Sequence, residues 1–193
     1  MKTMNPRTLR GWAFRMRGGI WTALALLMLC LAKGRSDWVF PGILLVVFGQ
    51  GLRFWAAGTI EGYRSENVNA NVLVTWGPYG IVRNPLYLGN GLIGLGWSLM
   101  VGSVAVVVFL VAFFLLYGLL IIPYEEGFLE DQFGKKYIDY RTSTPRLLPF
   151  RIPERSRLQG PFQKSRLWNS ERHSVYVTAL GTALFVMKSL EVF

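Results

Sequence analysis

Two apolar runs, residues 85–100 and 103–124, are separated only by a turn at Gly102-Ser103. A connection that short sends the second run back along the first, so the segments flanking the pair return to the same side. In a bilayer each run must be helical, because only intrasegment hydrogen bonding satisfies its backbone there. The flanking segments are polar and chemically distinctive. The first reads Gly77-Pro78-Tyr79-Gly80-Ile81-Val82-Arg83-Asn84-Pro85-Leu86-Tyr87-Leu88-Gly89, and the second begins Glu125-Glu126-Gly127-Phe128-Leu129-Glu130. The hairpin therefore brings an Arg/Asn/Tyr cluster and a glutamate pair, about forty residues apart in sequence, to one membrane face.

The rest of the chain fits a small polytopic membrane protein. Over 193 residues, 52% are hydrophobic and the mean hydropathy is +0.33, beyond the range of most soluble domains of this size. The pattern predicts an all-α chain of about five spans: Gly19–Ala32, Trp38–Ala57, Pro85–Met100, Ser103–Tyr124 and Val175–Leu190. The N-terminal run, ended by Lys33-Gly34-Arg35 without a clean cleavage site, reads as a retained helix. Arg53, near the end of the second run, is expected to snorkel toward the interface. Helical spacing in 125–140 predicts that the fourth span continues as a cytosolic helix with Phe128, Leu129, Phe133, Tyr137 and Ile138 on its apolar face. The tract 59–74 reads equally as an interfacial helix or an irregular connection, and 151–172, with its Pro, Arg, Phe162 and Trp168, as a segment at the lipid interface. One domain is expected: N-terminal helices in 1–74, the hairpin and its motifs in 75–150, and an interfacial segment with a last helix in 151–193.

Charge sets the orientation. The formal net charge is +10, yet 17 of the 21 Lys and Arg fall in the N-terminal arm and in the tracts 58–84 and 124–173, all on one side of the expected bundle. This is the positive-inside pattern, with added affinity for anionic lipid, rather than the footprint of a nucleic-acid binder. The lone cysteine, Cys30, forms no internal disulfide and is expected to pack among apolar neighbours. No metal ligand set is evident.

At the first foot, Asn84-Pro85 is a helix start: Asn is a good cap and Pro suits the first helical position. The helix N-terminus and the planar fork of Arg83 form an anion site, although Arg83 also reads as one more basic membrane anchor. At the second foot, Glu125 and Glu126 sit where a helix dipole and anionic lipid both disfavour them, which calls for a cationic partner. A protein arginine (Arg146), Lys135 or a ligand ammonium would serve. Adjacent helical residues point about 100° apart, so one Glu can face a ligand while its neighbour faces an arginine. Tyr79, Tyr87, Tyr124 and Trp76 add aromatic faces suited to a sulfonium. In the glycine-rich third span, Gly89 and Gly91 lie where a ligand could approach the backbone, while Gly94 and Gly96 suit close helix packing.

These two motifs, continued through Phe133-Gly134, Tyr137, Tyr140 and Pro145-Arg146, resemble the isoprenylcysteine carboxyl methyltransferase family, which is grouped with the phospholipid methyltransferases. The resemblance covers about residues 75–150. It implies an integral membrane methyltransferase that takes S-adenosylmethionine from the cytosol and a lipophilic acceptor from the bilayer. It implies a cofactor pocket of Tyr79, Arg83, Asn84, Pro85, Tyr87, Gly89, Glu125 and Glu126, with Glu126 and Arg146 at the reacting end. The family usually has His where this chain has Asn84; Asn donates a hydrogen bond but does not titrate near neutrality. The segment around Glu171 resembles one seen before the last helix in bacterial relatives, where Glu171 would close the pocket. His173 reads as an interfacial side chain. The compact chain points to a bacterial inner membrane, with the site facing the cytoplasm. A nicotinamide-dependent membrane reductase of related fold and a non-enzymatic protein retaining the fold are the competing readings.

Overall fold

The computed structural model describes residues 8–32, 36–60 and 72–191. Among these the regular secondary structure is all helical: α1 (Leu9–Leu31), a 3₁₀ turn (Ser36–Trp38), α2 (Val39–Thr59), α3 (Pro78–Ile81), α4 (Pro85–Val101), α5 (Ser103–Phe113), a π-helical stretch (Phe114–Ile121), α6 (Ile122–Phe133), α7 (Lys135–Ser143), α8 (Arg155–Leu158) and α9 (Lys164–Ser189). The expected membrane class holds. Three helical runs are long and apolar enough to cross a bilayer: Leu9–Cys30, Val39–Thr59 and Ser103–Phe133. Helix α4 spans 17 residues, and the 26 residues of α9 begin in a polar stretch, so neither reaches that standard. The first and last helices start well before their apolar runs, α1 because Thr8 caps it through a bond from Gly11 N. Most of the undecided 59–74 tract, residues 61–71, lies outside the described residues.

The hairpin forms as expected. Gly102 makes the turn with φ 141°, a conformation that favours glycine. Helix α4 packs antiparallel to α2 through two reciprocal glycine contacts. A Cβ on Gly42 would lie 2.7 Å from the Gly96 carbonyl, and one on Gly49 would lie 2.7 Å from the Gly89 carbonyl. The members of each pair of glycines are two turns apart in their own helix, so both contacts fall on one seam. Gly91 and Gly94 instead make room for the rings of Phe113 and Phe109. Gly89 thus faces α2, where Gly49 and the Arg53 side chain fill the adjacent space.

The bundle interior is aromatic. Trp21 stacks on Tyr117 at 5.5 Å, and Tyr117 meets Tyr87 at 4.5 Å. These rings belong to a core cluster with Ala13, Phe14, Leu116, Ile121 and Ile122. Cys30 does not pack inside: it lies on the outward face of α1. An apolar neighbourhood in sequence does not imply burial when bilayer surrounds the helix, because lipid and core select the same residues.

Candidate functional site

Three features of the chain path assemble the site. Asn84-Pro85 starts α4 at the basic end of the bundle. The helical run from Ser103 emerges at the same end, bearing Glu125 and Glu126 in the first turns of α6. At Gly134, φ 53°, the chain reverses, and α7 folds back along α6, tied by an Arg141–Glu130 bond of 2.6 Å. That return delivers residues 144–146 to the side of Glu126.

Glu126 is the hub. Its carboxylate is 7% exposed and accepts from Arg83 Nε at 2.9 Å on one oxygen and from an Arg146 terminal nitrogen at 2.9 Å on the other. Asn84 Nδ2 lies 3.5 Å from the first oxygen and donates to the Arg146 carbonyl at 3.0 Å. The Arg83 guanidinium also donates to the carbonyls of Arg141 and Thr144, at 2.8 and 2.6 Å. The Arg83 backbone N–H donates to the Pro145 carbonyl at 2.8 Å. Three stretches far apart in sequence, Arg83-Asn84, Glu126 and residues 141–146, are thereby locked into one clamp. The cation that Glu126 required is supplied by two protein arginines, Arg83 and Arg146, not by Lys135.

Asn84 occupies the cap position of α4, but its side chain makes no capping bond. It is turned to Glu126 and the Arg146 carbonyl instead. Pro85, with its fixed φ and no N–H, suits the first helical position, so α4 starts there without a side-chain cap from Asn84. Glu125, on the neighbouring face as helical geometry demands, accepts from the Tyr87 hydroxyl at 2.6 Å. Tyr79 contributes differently: its carbonyl accepts from Tyr140 at 2.7 Å, and its ring packs against the Ala56, Ala57 and Leu86 cluster. Burial pushes the phenols of Tyr137 and Tyr140 well above the ordinary tyrosine range. Both are neutral at physiological pH. A surface cavity of about 460 Å³ opens on the other side of α7, between Trp76, Asp139, Tyr140 and Arg157.

A second polar network, deeper in the bundle, was not legible as such. Arg53 does not snorkel. It is 9% exposed and forms a bidentate pair with Glu171, which is 1% exposed. Nε donates at 3.0 Å to one oxygen, and a terminal nitrogen donates at 2.9 and 2.8 Å to the two oxygens. The other terminal nitrogen bonds Asn90 Oδ1, whose amide donates to the Tyr117 hydroxyl at 2.9 Å. The signal in the sequence was a lone Arg inside one apolar run and a Glu leading into another; opposite charges at matching depth are natural partners. His173 sits on the surface of α9, exposed.

An all-helical membrane bundle with an Arg–Glu–Arg clamp at the mouth of its central hairpin defines a class of integral membrane protein. By comparison with known proteins, the chain belongs to the phospholipid methyltransferase family, whose pattern it matches over residues 38–136. It is 34% identical over 153 residues to the cobalt-zinc-cadmium resistance protein CzcN of Cupriavidus metallidurans, covering 74% of this chain and 68% of that one. It is 30% identical over 145 residues to protein-S-isoprenylcysteine O-methyltransferase A of Arabidopsis thaliana, covering 66% and 73%. A shorter likeness, 40% over 76 residues, links it to the steroid 5-alpha-reductase DET2 of Solanum lycopersicum, covering 38% and 29%. No solved structure matches the chain.

Proposed function

We propose that this protein is an S-adenosylmethionine-dependent methyltransferase of a bacterial inner membrane, with five crossings and its clamp facing the cytoplasm, acting on a lipophilic acceptor taken from the bilayer. The observation that carries the reading is the clamp itself. It sets an anion-binding fork, a carboxylate pair and tyrosine faces at the mouth of a membrane hairpin, in a chain of methyltransferase family.

The donor set suits a cofactor with a carboxylate, an ammonium and a sulfonium. Arg146 holds Glu126 while its own side chain stays 48% exposed, leaving donors of its fork for a ligand carboxylate. Glu125, oriented by Tyr87, supplies negative charge for the ammonium, and the face of the half-buried Tyr124 suits the sulfonium. Arg83, Asn84 and Pro85 hold this arrangement at the start of α4. Bound there, S-adenosylmethionine would supply an activated methyl group. In-line displacement asks the protein chiefly to hold donor and acceptor about 3 Å apart, aligned and dry. Glu126 and Arg146 are the residues we assign to that end. Because Glu126 is engaged by two arginines, Glu125 is assigned to the ligand ammonium and the nearby phenols are neutral, the clamp offers no dedicated base. An acceptor that is already nucleophilic, such as a carboxylate, fits best.

Calorimetric titration of the detergent-purified protein tests the reading. S-adenosylmethionine and S-adenosylhomocysteine should bind in the micromolar range, and Glu126→Gln should weaken both at least about tenfold, because Arg83 and Arg146 lose the anion that holds them in position. Binding of NADPH alone would move the protein to the reductases, the reading that the DET2 likeness supports. Binding of none would favour a non-enzymatic member of the family.

A further inference from the structure

Beyond the clamp, the chain from Leu147 to Ile152 is an irregular strap that exposes large apolar side chains. Leu148 is 49% exposed, Phe150 81% and Ile152 99%. Pro149 and Pro153 keep it out of a helix, and Arg151 alternates with Phe150 and Ile152. In water such a segment would be a conspicuous liability.

The chain path gives the depth of the strap. From Ser103 to Glu126 the helical rise is roughly 30–35 Å, which matches a hydrocarbon core of roughly 30 Å. Glu126 therefore sits at its edge. The rest of α6 projects about 10 Å beyond, and α7, nine residues long, returns about 13 Å. The bonds from Arg146 to Glu126 and from Asn84 to the Arg146 carbonyl fix the returning chain at the Glu126 level. Leu147 then packs against the cluster of Tyr87, Leu116, Tyr117 and Ile121, residues of the membrane-crossing part of the bundle. The strap runs on from there.

We infer that Leu147–Ile152 is inserted in the headgroup layer of the bilayer, with Phe150 and Ile152 directed toward the acyl boundary and Arg151 and Arg155 toward anionic headgroups. The occupant of this apolar face is lipid. The bilayer edge passes through the residues from which the strap departs, and basic residues interleave the apolar ones as they do in interfacial segments. Its consequence, which rests on the function proposed above, is that a lipophilic molecule leaving the bilayer along the strap first meets Arg146 and Glu126.

Site-specific fluorescence tests the insertion without reference to enzyme activity. Cys30, exposed on α1, is replaced by Ser, and single cysteines are placed at Phe150, Ile152 and, on the projecting tip of α6, Asp131. Each is labelled with a nitrobenzoxadiazole and reconstituted into vesicles of phosphatidylcholine and phosphatidylglycerol. Labels at 150 and 152 should emit to the blue of the label at 131. They should also be quenched several-fold more by headgroup-region spin-labelled lipid than by aqueous iodide, with the reverse at 131. Iodide quenching at 150 and 152 equal to that at 131 would place the strap in water and overturn the inference. Protection from both quenchers would overturn it too, by showing a protein covering, a second copy or a partner. Size-exclusion profiles in detergent confirm that each labelled variant is folded, and loss of cofactor binding with insertion intact would sink the proposed function alone.

Discussion

Replacing Glu171 with Met removes the anion that faces Arg53 and leaves a guanidinium inside the bundle. The side chains of this pair are 10% and 2% exposed, so neither partner recovers much hydration when the other is lost. Breaking such a pair costs about 3–5 kcal/mol, because the surviving charge stays buried without its counterion. Arg53→Met should cost a similar amount through Glu171, and the Met stem preserves the Cγ that packs beside Gly89. The double variant has no orphaned charge. Its residual cost is that of Asn90, which loses the donor to its carbonyl oxygen, about 1–3 kcal/mol. For a chain of this size each kcal/mol moves the unfolding midpoint by about 2–4 °C. Each single variant should therefore fall roughly 6–20 °C, and the double should fall less than either. Thermal unfolding in detergent, followed by tryptophan fluorescence, reads all three. A double variant destabilised by the sum of the singles would refute the claim that the two residues act as one buried pair.

Two further outcomes follow from the packing and the titratable groups. Gly89→Ala places a Cβ 2.6 Å from Arg53 Cγ and 2.8 Å from the Gly49 carbonyl, and should destabilise by at least about 1–3 kcal/mol in the same melt, whereas Gly127→Ala, with nothing within 4 Å in an exposed helix, should gain about 0.5–1 kcal/mol. Tyr137 and Tyr140 bind their protons more tightly folded than unfolded, so they leave stability unchanged below the ordinary tyrosine range and lower it as pH rises above that range, where only the unfolded chain ionises; ultraviolet titration of the folded protein should show fewer tyrosines ionising near pH 10 for the parent than the composition predicts, and a melt that does not weaken with alkaline pH would contradict the burial.

Much of the clamp was readable before any coordinates. Two apolar runs joined by a tight turn must return, so the meeting of Arg83 and Asn84 with Glu125 and Glu126 follows from topology alone. The roles within the meeting do not follow. Arg83, Arg146 and Lys135 were all possible partners for Glu126 by charge. Only the reversal at Gly134 and the length of α7 bring Arg146 to the second carboxylate oxygen. Asn84 looked like a cap and is a strut, because a side chain next to a proline can take a partner from a distant segment that the sequence does not announce. That Gly89 packs against Gly49 and Arg53 of α2 depends on which helix lies opposite, which the sequence does not announce.

Membrane class, helical character, the hairpin and the side on which basic residues gather were determined by the sequence itself, since hydropathy, turn residues and charge are local properties that the bilayer reads directly. What tertiary structure decided is pairing: Arg53 with Glu171, Glu126 with two arginines, Cys30 outward rather than in. In lipid, core and surface draw on the same apolar residues, so hydrophobicity cannot say which face of a helix turns inward. That choice rests on the fit of glycine seams and on buried charges finding their counterions, and both require the second helix to be in place.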